Sequence, residues 1–364
     1  VLKTTLAITT AAVAASVPPG EQVLRKDWEV RGETGHLGVR EVRLERPAHR
    51  RPVLLLHGAR VPGIPSFDLP VAGGSLAADL ARAGHRVFIV DARGYGKSDR
   101  PAALDAPASE HPPAVTGEQV VSDIASVVEW LQSATRHAGV DIVGWATGGH
   151  WAAWYASEHP HRVENLVVCN SLYGAIDGHP MLGRGSAYED PARPGHFHDA
   201  RHGAYRFSTG PSLLSSWDSG IPVDDKAQWR DPQVAAAYVD HALASDPTSG
   251  DREPPSFRAP TGAMKDSFRL AIGQQLWDAG EITARTLVMR SEHDFWSREG
   301  DVSTLVADLV RAKDVRAVRL DGATHFAHLD RDERGRGRFV AELVRWLGQG
   351  AAGVVALPPA ARSS

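Results

Sequence analysis

Short apolar runs that end on small or polar residues recur along this chain with helical patterns between them, and that alternation limits the folds open to it. Val53-Leu54-Leu55-Leu56 stops at His57-Gly58, Val87-Phe88-Ile89-Val90 stops at Asp91, and Val140-Asp141-Ile142-Val143 stops at Gly144. Residues 166–170, 286–289 and 315–320 continue the series. A run with no polar alternation suits a strand covered on both faces. Helical spacing over residues 76–83, 120–131 and 147–158 fills the gaps. The series therefore reads as repeated strand-helix-strand units, which give a parallel sheet with helices on both sides. Ahead of it, Trp28, Val30, Val39, Val42 and Leu44 alternate with polar positions and predict an opening antiparallel pair.

The regularity breaks over residues 173–280, where Pro, Gly, His and Asp crowd a segment with only a few helical patterns, such as those at 232–242 and 264–277. An insertion of that length is expected to build structure of its own. The reading is an N-terminal arm over 1–26, a core made of 27–172 and 281–348, a cap over 173–280 and a C-terminal tail over 349–364. Apolar residues at 42% supply enough material for a substantial core.

A formal net charge of −4 offers no positive field to draw nucleic acid or an anionic membrane. A small neutral or weakly polar ligand is the simpler expectation. The single cysteine, Cys169, excludes an internal disulfide framework and reads as a buried strand thiol. Lys3, the apolar stretch from Leu6 to Ala15, and Ser16 loosely imitate a secretory signal, but the stretch is short and rich in threonine. The expectation is a cytoplasmic protein, with a secreted or periplasmic one as the alternative. No stretch reaches the length of about 20 apolar residues that a membrane span needs. Association between copies through the arm stays open.

Four segments carry chemistry. After the strand ending at His57-Gly58, the Ala59 amide is placed to donate into a cleft, with Arg60 beside it. Gly144-Trp145-Ala146-Thr147-Gly148 joins a strand to a helix in the frame of a nucleophile elbow, in which the central residue is held in strained geometry. The Thr147 amide would be the second donor, at the positive end of the helix. Asp294 follows the strand through Met289, with Glu292 as the reserve acid. His325 follows the strand through Leu320, with His328 as a lesser choice of base. An acid fixing the tautomer of a histidine base is the arrangement nucleophilic catalysis requires.

The order nucleophile, acid, histidine resembles that of the α/β-hydrolase superfamily, and the likeness covers residues 28–348. The Asp91-Ala92-Arg93-Gly94-Tyr95-Gly96-Lys97-Ser98 segment is similar to that superfamily's turn before the elbow. The resemblance implies a mostly parallel eight-stranded sheet flanked by helices, with a cap after the sixth strand. It also implies hydrolysis of an ester or lactone with no metal or organic cofactor, a carbon–carbon bond hydrolase being the alternative.

The departure is Ala146, which cannot attack a carbonyl. Replacement of a working serine fits best, because the other members of the site have not drifted. A naturally non-catalytic binding protein and a replaced Asp or Cys are the alternatives, although His57-Gly58-Ala59-Arg60 lacks the proline usual in epoxide hydrolases. Trp145 and Arg60 are the nearest substrate-binding candidates. Tyr205, Phe207, Trp217, Trp229 and Trp277 are candidates for an aromatic lining, although most are expected to form a small core of their own. His196, His198, His202 and Asp199 have metal-like spacing, but in a loop with no further ligands no metal is expected.

Overall fold

Covered on both faces, the runs Val53–Leu56 and Val87–Val90 are wholly buried, and they form the middle of the sheet. The computed structural model describes residues 22–349. In chain order its strands are β1 (Val23–Arg31), β2 (His36–Leu44), β3 (Val53–Leu56), β4 (Val87–Val90), β5 (Val140–Trp145), β6 (Val163–Cys169), β7 (Tyr205–Thr209), β8 (Ser256–Pro260), β9 (Arg285–His293) and β10 (Val315–Thr324). Eight of them make one sheet in the order β1-β2-β4-β3-β5-β6-β9-β10, while β7 and β8 pair separately as an antiparallel ribbon. The pairings β1-β2 and β2-β4 are antiparallel and the rest of the sheet is parallel.

Strand β1 begins at Val23, inside the segment expected to be an arm. Its first residues are partly exposed and its charged side chains find partners, Arg25 reaching Asp68 at 2.8 Å, so an edge strand of this kind shows little apolar alternation. The remainder of the expected arm and nearly all of the expected tail lie outside the described residues.

The ten α-helices of the described residues are α1 (Gly63–Phe67), α2 (Leu76–Arg82), α3 (Gly117–Thr135), α4 (Thr147–Glu158), α5 (Asp199–His202), α6 (Gly210–Asp218), α7 (Pro232–Ala244), α8 (Gly262–Ala271), α9 (Glu299–Asp308) and α10 (Arg336–Gly348). Side chains alternate along a strand, so each central strand feeds two cores. Val53, Leu55 and Ile89 pack with Leu80 of α2 and Phe339 and Leu343 of α10. Leu54, Leu56 and Phe88 pack with Ile124 of α3, Trp151 of α4 and Leu305 of α9.

Between β6 and β9 the chain leaves the sheet and builds α5 to α8 and the β7-β8 ribbon. The helix expected over 264–277 stops instead at Ala271, two residues before Gly273, whose φ of 83° ends helical geometry. No helix of the described residues is long and apolar enough to cross a membrane. Cys169 is buried and free, and burial raises its thiol pKa.

Leu287, in the middle of β9, is fully buried, whereas Val310 is 77% exposed. Leu287→Ala is expected to cost about 2–5 kcal/mol in urea unfolding, against less than about 0.5 kcal/mol for Val310→Ala.

Candidate active site

The carboxyl ends of β3, β5, β9 and β10 converge, and the turn between β5 and α4 stands at their centre. Ala146 occupies that turn with φ 54° and ψ −124°, a region that costs a residue with a Cβ about 1–3 kcal/mol. The backbone holds it there: the Ala146 amide donates to Cys169 O at 2.9 Å and Gly149 N donates to Ala146 O at 3.0 Å. Gly148 is required by crowding, since a Cβ on it would stand 2.2 Å from Leu56 O. The Ala146 side chain lines a cavity of about 250 Å³.

Two amides border the same cavity. Among the described residues, neither Ala59 N nor Thr147 N has an acceptor. The Tyr95 hydroxyl donates to the Ala59 carbonyl at 2.8 Å and so fixes the peptide that follows the Ala59 amide. His57 fixes the loop. Ala92 N donates to its Nε2 at 3.1 Å, so Nδ1 carries the proton and donates to Gly58 O at 2.7 Å. Complete burial pulls the His57 pKa down to about 4, which keeps the ring neutral.

Asp294 and His325 meet at 2.6 Å through Oδ1 and Nδ1. An ionised carboxylate only accepts, so Nδ1 donates and, in the neutral ring, Nε2 keeps its lone pair. Asp294 is held by Trp296 N at 3.0 Å, by Ser297 N at 2.8 Å and by the Ser297 hydroxyl. The backbone of His325 is held as firmly, its carbonyl accepting from Trp145 Nε1 at 2.8 Å and Asn170 Nδ2 at 3.0 Å.

The reserve residues are engaged elsewhere. Glu292 accepts from Gly322 N at 2.8 Å and pairs with Arg319, and its carboxyl is held below the usual range by the Gly322 amide. His328 is buried with its ring 4.4 Å from that of Trp145, and burial keeps it neutral by lowering its pKa well below the ordinary value.

Arg60 and Trp145 both line the cavity, as do Leu213, Tyr188, Tyr238 and Arg206 from the segment between β6 and β9. None of the five aromatics offered as candidates for a lining borders it. Trp217 instead stacks on Phe326 and donates to Asp330, Trp229 donates to Gly322 O, and Trp277 donates to His150. Tyr205 bonds Ala106 O, and Phe207 is exposed beneath Arg252. Asp199 pairs with Lys265 and His202 stacks on Tyr188. Among the described residues no three His, Cys, Asp or Glu side chains are disposed to hold a metal.

Three supporting residues had gone unrecognised in the sequence. Asn170, at the end of β6 with φ 50°, joins β9 through Ser291 and reaches the His325 carbonyl. Asn tolerates that backbone region better than most residues, which is the one signal its position carries. Asp330 accepts from Thr324 N at 2.7 Å just ahead of His325, and Ser297 holds Asp294. Each is an ordinary polar residue in an ordinary local pattern.

A mostly parallel sheet of this order, with a strained strand-turn-helix joint and an acid–histidine pair at its carboxyl edge, defines the α/β-hydrolase class. The chain belongs to the alpha/beta hydrolase fold family, which matches it over residues 51–332. It is 35% identical over 256 residues to a putative carbamate hydrolase RutD of Variovorax paradoxus strain S110, covering 68% of this chain and 76% of that one. Among solved structures it is similar to proline iminopeptidase of Mycobacterium smegmatis, with a TM-score of 0.55, 20% identity, and coverage of 89% of this chain and 98% of that chain. It is also similar to the esterase EaEST of Exiguobacterium antarcticum, with a TM-score of 0.55, 17% identity, and coverage of 89% and 100%. These two structural likenesses speak for the fold alone.

The unfolded chain takes up the His57 proton near pH 6.5, while the folded chain resists it to about 4. The stability held by the neutral ring is therefore lost as pH falls through that window, by about 3 kcal/mol. His57→Gln should flatten the loss between pH 6.5 and 4 relative to the parent, as measured by urea unfolding at a series of pH values.

Proposed function

We propose that this chain carries the site of a serine-type ester or lactone hydrolase whose nucleophile position is filled by Ala146, so that it binds substrate and scarcely turns it over. The observation that carries this reading is the backbone of Ala146. The strain of an elbow is kept at a residue with nothing to present, directly beside two unpaired amides and a histidine fixed by Asp294.

With serine at position 146, the hydroxyl proton would pass to His325 Nε2 as oxygen attacks the carbonyl carbon. The Ala59 and Thr147 amides would hold the resulting oxyanion. The imidazolium, stabilised by Asp294, would give its proton to the leaving alkoxide. His325 would then deprotonate the water that hydrolyses the acyl-enzyme. In the alanine form the pocket and the oxyanion donors remain, but no acyl-enzyme forms. The segment over 173–280 acts as the cap that shapes the pocket. The relative named as a putative carbamate hydrolase favours a second choice of bond, a carbamate, whose carbonyl passes through the same tetrahedral state.

Ala146→Ser should confer hydrolysis of chromogenic esters and covalent labelling by a fluorophosphonate. Adding Asp294→Asn to that variant should lower kcat by about 10⁴-fold, because the tautomer of His325 is no longer fixed. A well-folded Ala146→Ser protein that neither hydrolyses esters, lactones or carbamates nor takes the label would sink the reading and leave a native binding protein.

A further inference from the structure

Two guanidinium groups line the cavity and no carboxylate lines it with them. Arg60 directs four of its five N–H donors to neutral acceptors. Its Nε reaches Ser208 Oγ at 3.1 Å, Nη1 reaches Ser212 O at 3.2 Å and Ser216 Oγ at 2.8 Å, and Nη2 reaches Ser212 Oγ at 2.6 Å. Burial, aided by the neighbouring positive charge of Arg206, pulls the Arg60 pKa down to about 10. Arg206 stands on β7, opposite Ala259 of β8. Among the described residues its side chain makes no hydrogen bond or ion pair, and its Nε is buried without an acceptor. None of the described residues lining the cavity is acidic.

Several largely buried arginines elsewhere meet carboxylates, although half-buried Arg100 bonds only the carbonyls of Gly94 and Ser245. Arg93 meets Asp123 at 3.0 Å and 2.9 Å through Nε, Arg298 meets Asp301 at 2.8 Å, Arg258 meets Asp246 at 2.9 Å, and Arg336 meets Asp332 at 2.7 Å. Burying a cation without a counter-charge is costly, and placing two such cations together adds their repulsion. At the cavity Arg60 and Arg206 are both half-buried side by side, and no carboxylate lines the wall with them.

We infer that the ligand of this cavity carries a carboxylate, received by Arg206 and by the remaining Nη2 hydrogen of Arg60. Resting on the hydrolase reading, this makes the substrate an ester or lactone with a second, anionic carboxyl group, its scissile carbonyl over residue 146. A carboxylate suits the planar guanidinium fork. The wall otherwise consists largely of apolar side chains, among them Met181, Leu182, Leu213, Met264 and Phe295, which suit hydrocarbon better than the further oxygens of a phosphate. Such a ligand differs from the small neutral or weakly polar one expected from net charge.

The test uses the full chain as it stands. Calorimetric titration with monomethyl glutarate, dimethyl glutarate and a methyl phosphonoalkanoate of matched length should show the monocarboxylate binding at least ten-fold tighter than the diester. Arg206→Gln should lower that advantage about ten-fold and Arg206→Lys should restore part of it. The unfolding temperature of Arg206→Gln should be no lower than the parent's, because the side chain has no partner to lose. Equal or absent binding of the two glutarates, or an advantage that Arg206→Gln leaves intact, overturns the carboxylate site. Tighter binding of the phosphonate overturns it in favour of a phosphate-like group. In the Ala146→Ser background, the kcat/KM ratio of 4-nitrophenyl hydrogen glutarate to 4-nitrophenyl valerate should fall ten-fold with Arg206→Gln. Hydrolysis of both esters at a ratio that Arg206→Gln does not move ends the carboxylate site and spares the hydrolase reading. Arg206-dependent binding without hydrolysis by Ala146→Ser ends the hydrolase reading and spares the carboxylate site.

Discussion

Where α4 begins, Gly148 lies against the end of β3 so closely that a Cβ would stand 2.2 Å from Leu56 O and 2.6 Å from His57 O. Everything at the carboxyl edge of the sheet is arranged around that approach. It brings the start of the helix beside the loop that bears Ala59, so Ala59 and Thr147 line one cavity. It also forces the chain through the unfavourable conformation of Ala146, because there is no room for a wider turn. The local strain is offset by the parallel pairing of β5 with β3 and β6, which fixes both ends of the turn.

A second layer of buried hydrogen bonds keeps the loops after β9 and β10 in register with that turn. Asn170 ties the end of β6 to Ser291 and to the carbonyl of His325, and Asp330 ties Thr324 to Trp217. The ring of His325 is thus placed by groups that never face the cavity. Such fully satisfied polar networks define a geometry more sharply than apolar packing does. Arg60 extends the arrangement outward, linking the loop beside Ala59 to the serines of β7 and α6.

The central strands and the elbow were legible because their physical demands appear as local pattern. Continuous apolar runs report burial on both faces, and paired glycines report backbone crowding. Asp294 and His325 were legible from their place just beyond strand ends. The polar frame was not, since Asn170, Ser297 and Asp330 act through partners more than a hundred residues away or through turns with no distinctive composition. The cavity wall was legible only in part: Arg60 and Trp145 line it, but its residues from the inserted segment carried no signal. Large aromatics such as Trp217 and Trp229 were absorbed by the packing of the inserted segment against the β10 loop, and the wall was left to Tyr188, Tyr238 and Arg206.

Trp145, next to Ala146, donates its indole proton to the carbonyl of His325 across 180 residues of sequence. The turn and the histidine loop are thereby joined through the neighbour of residue 146 and through main-chain atoms. The side chain of residue 146 itself bonds to nothing in the frame. On the proposed reading, architecture and reactivity are separable at this one position: an oxygen could be added or removed there as a tool is changed in a chuck, with the grip left undisturbed.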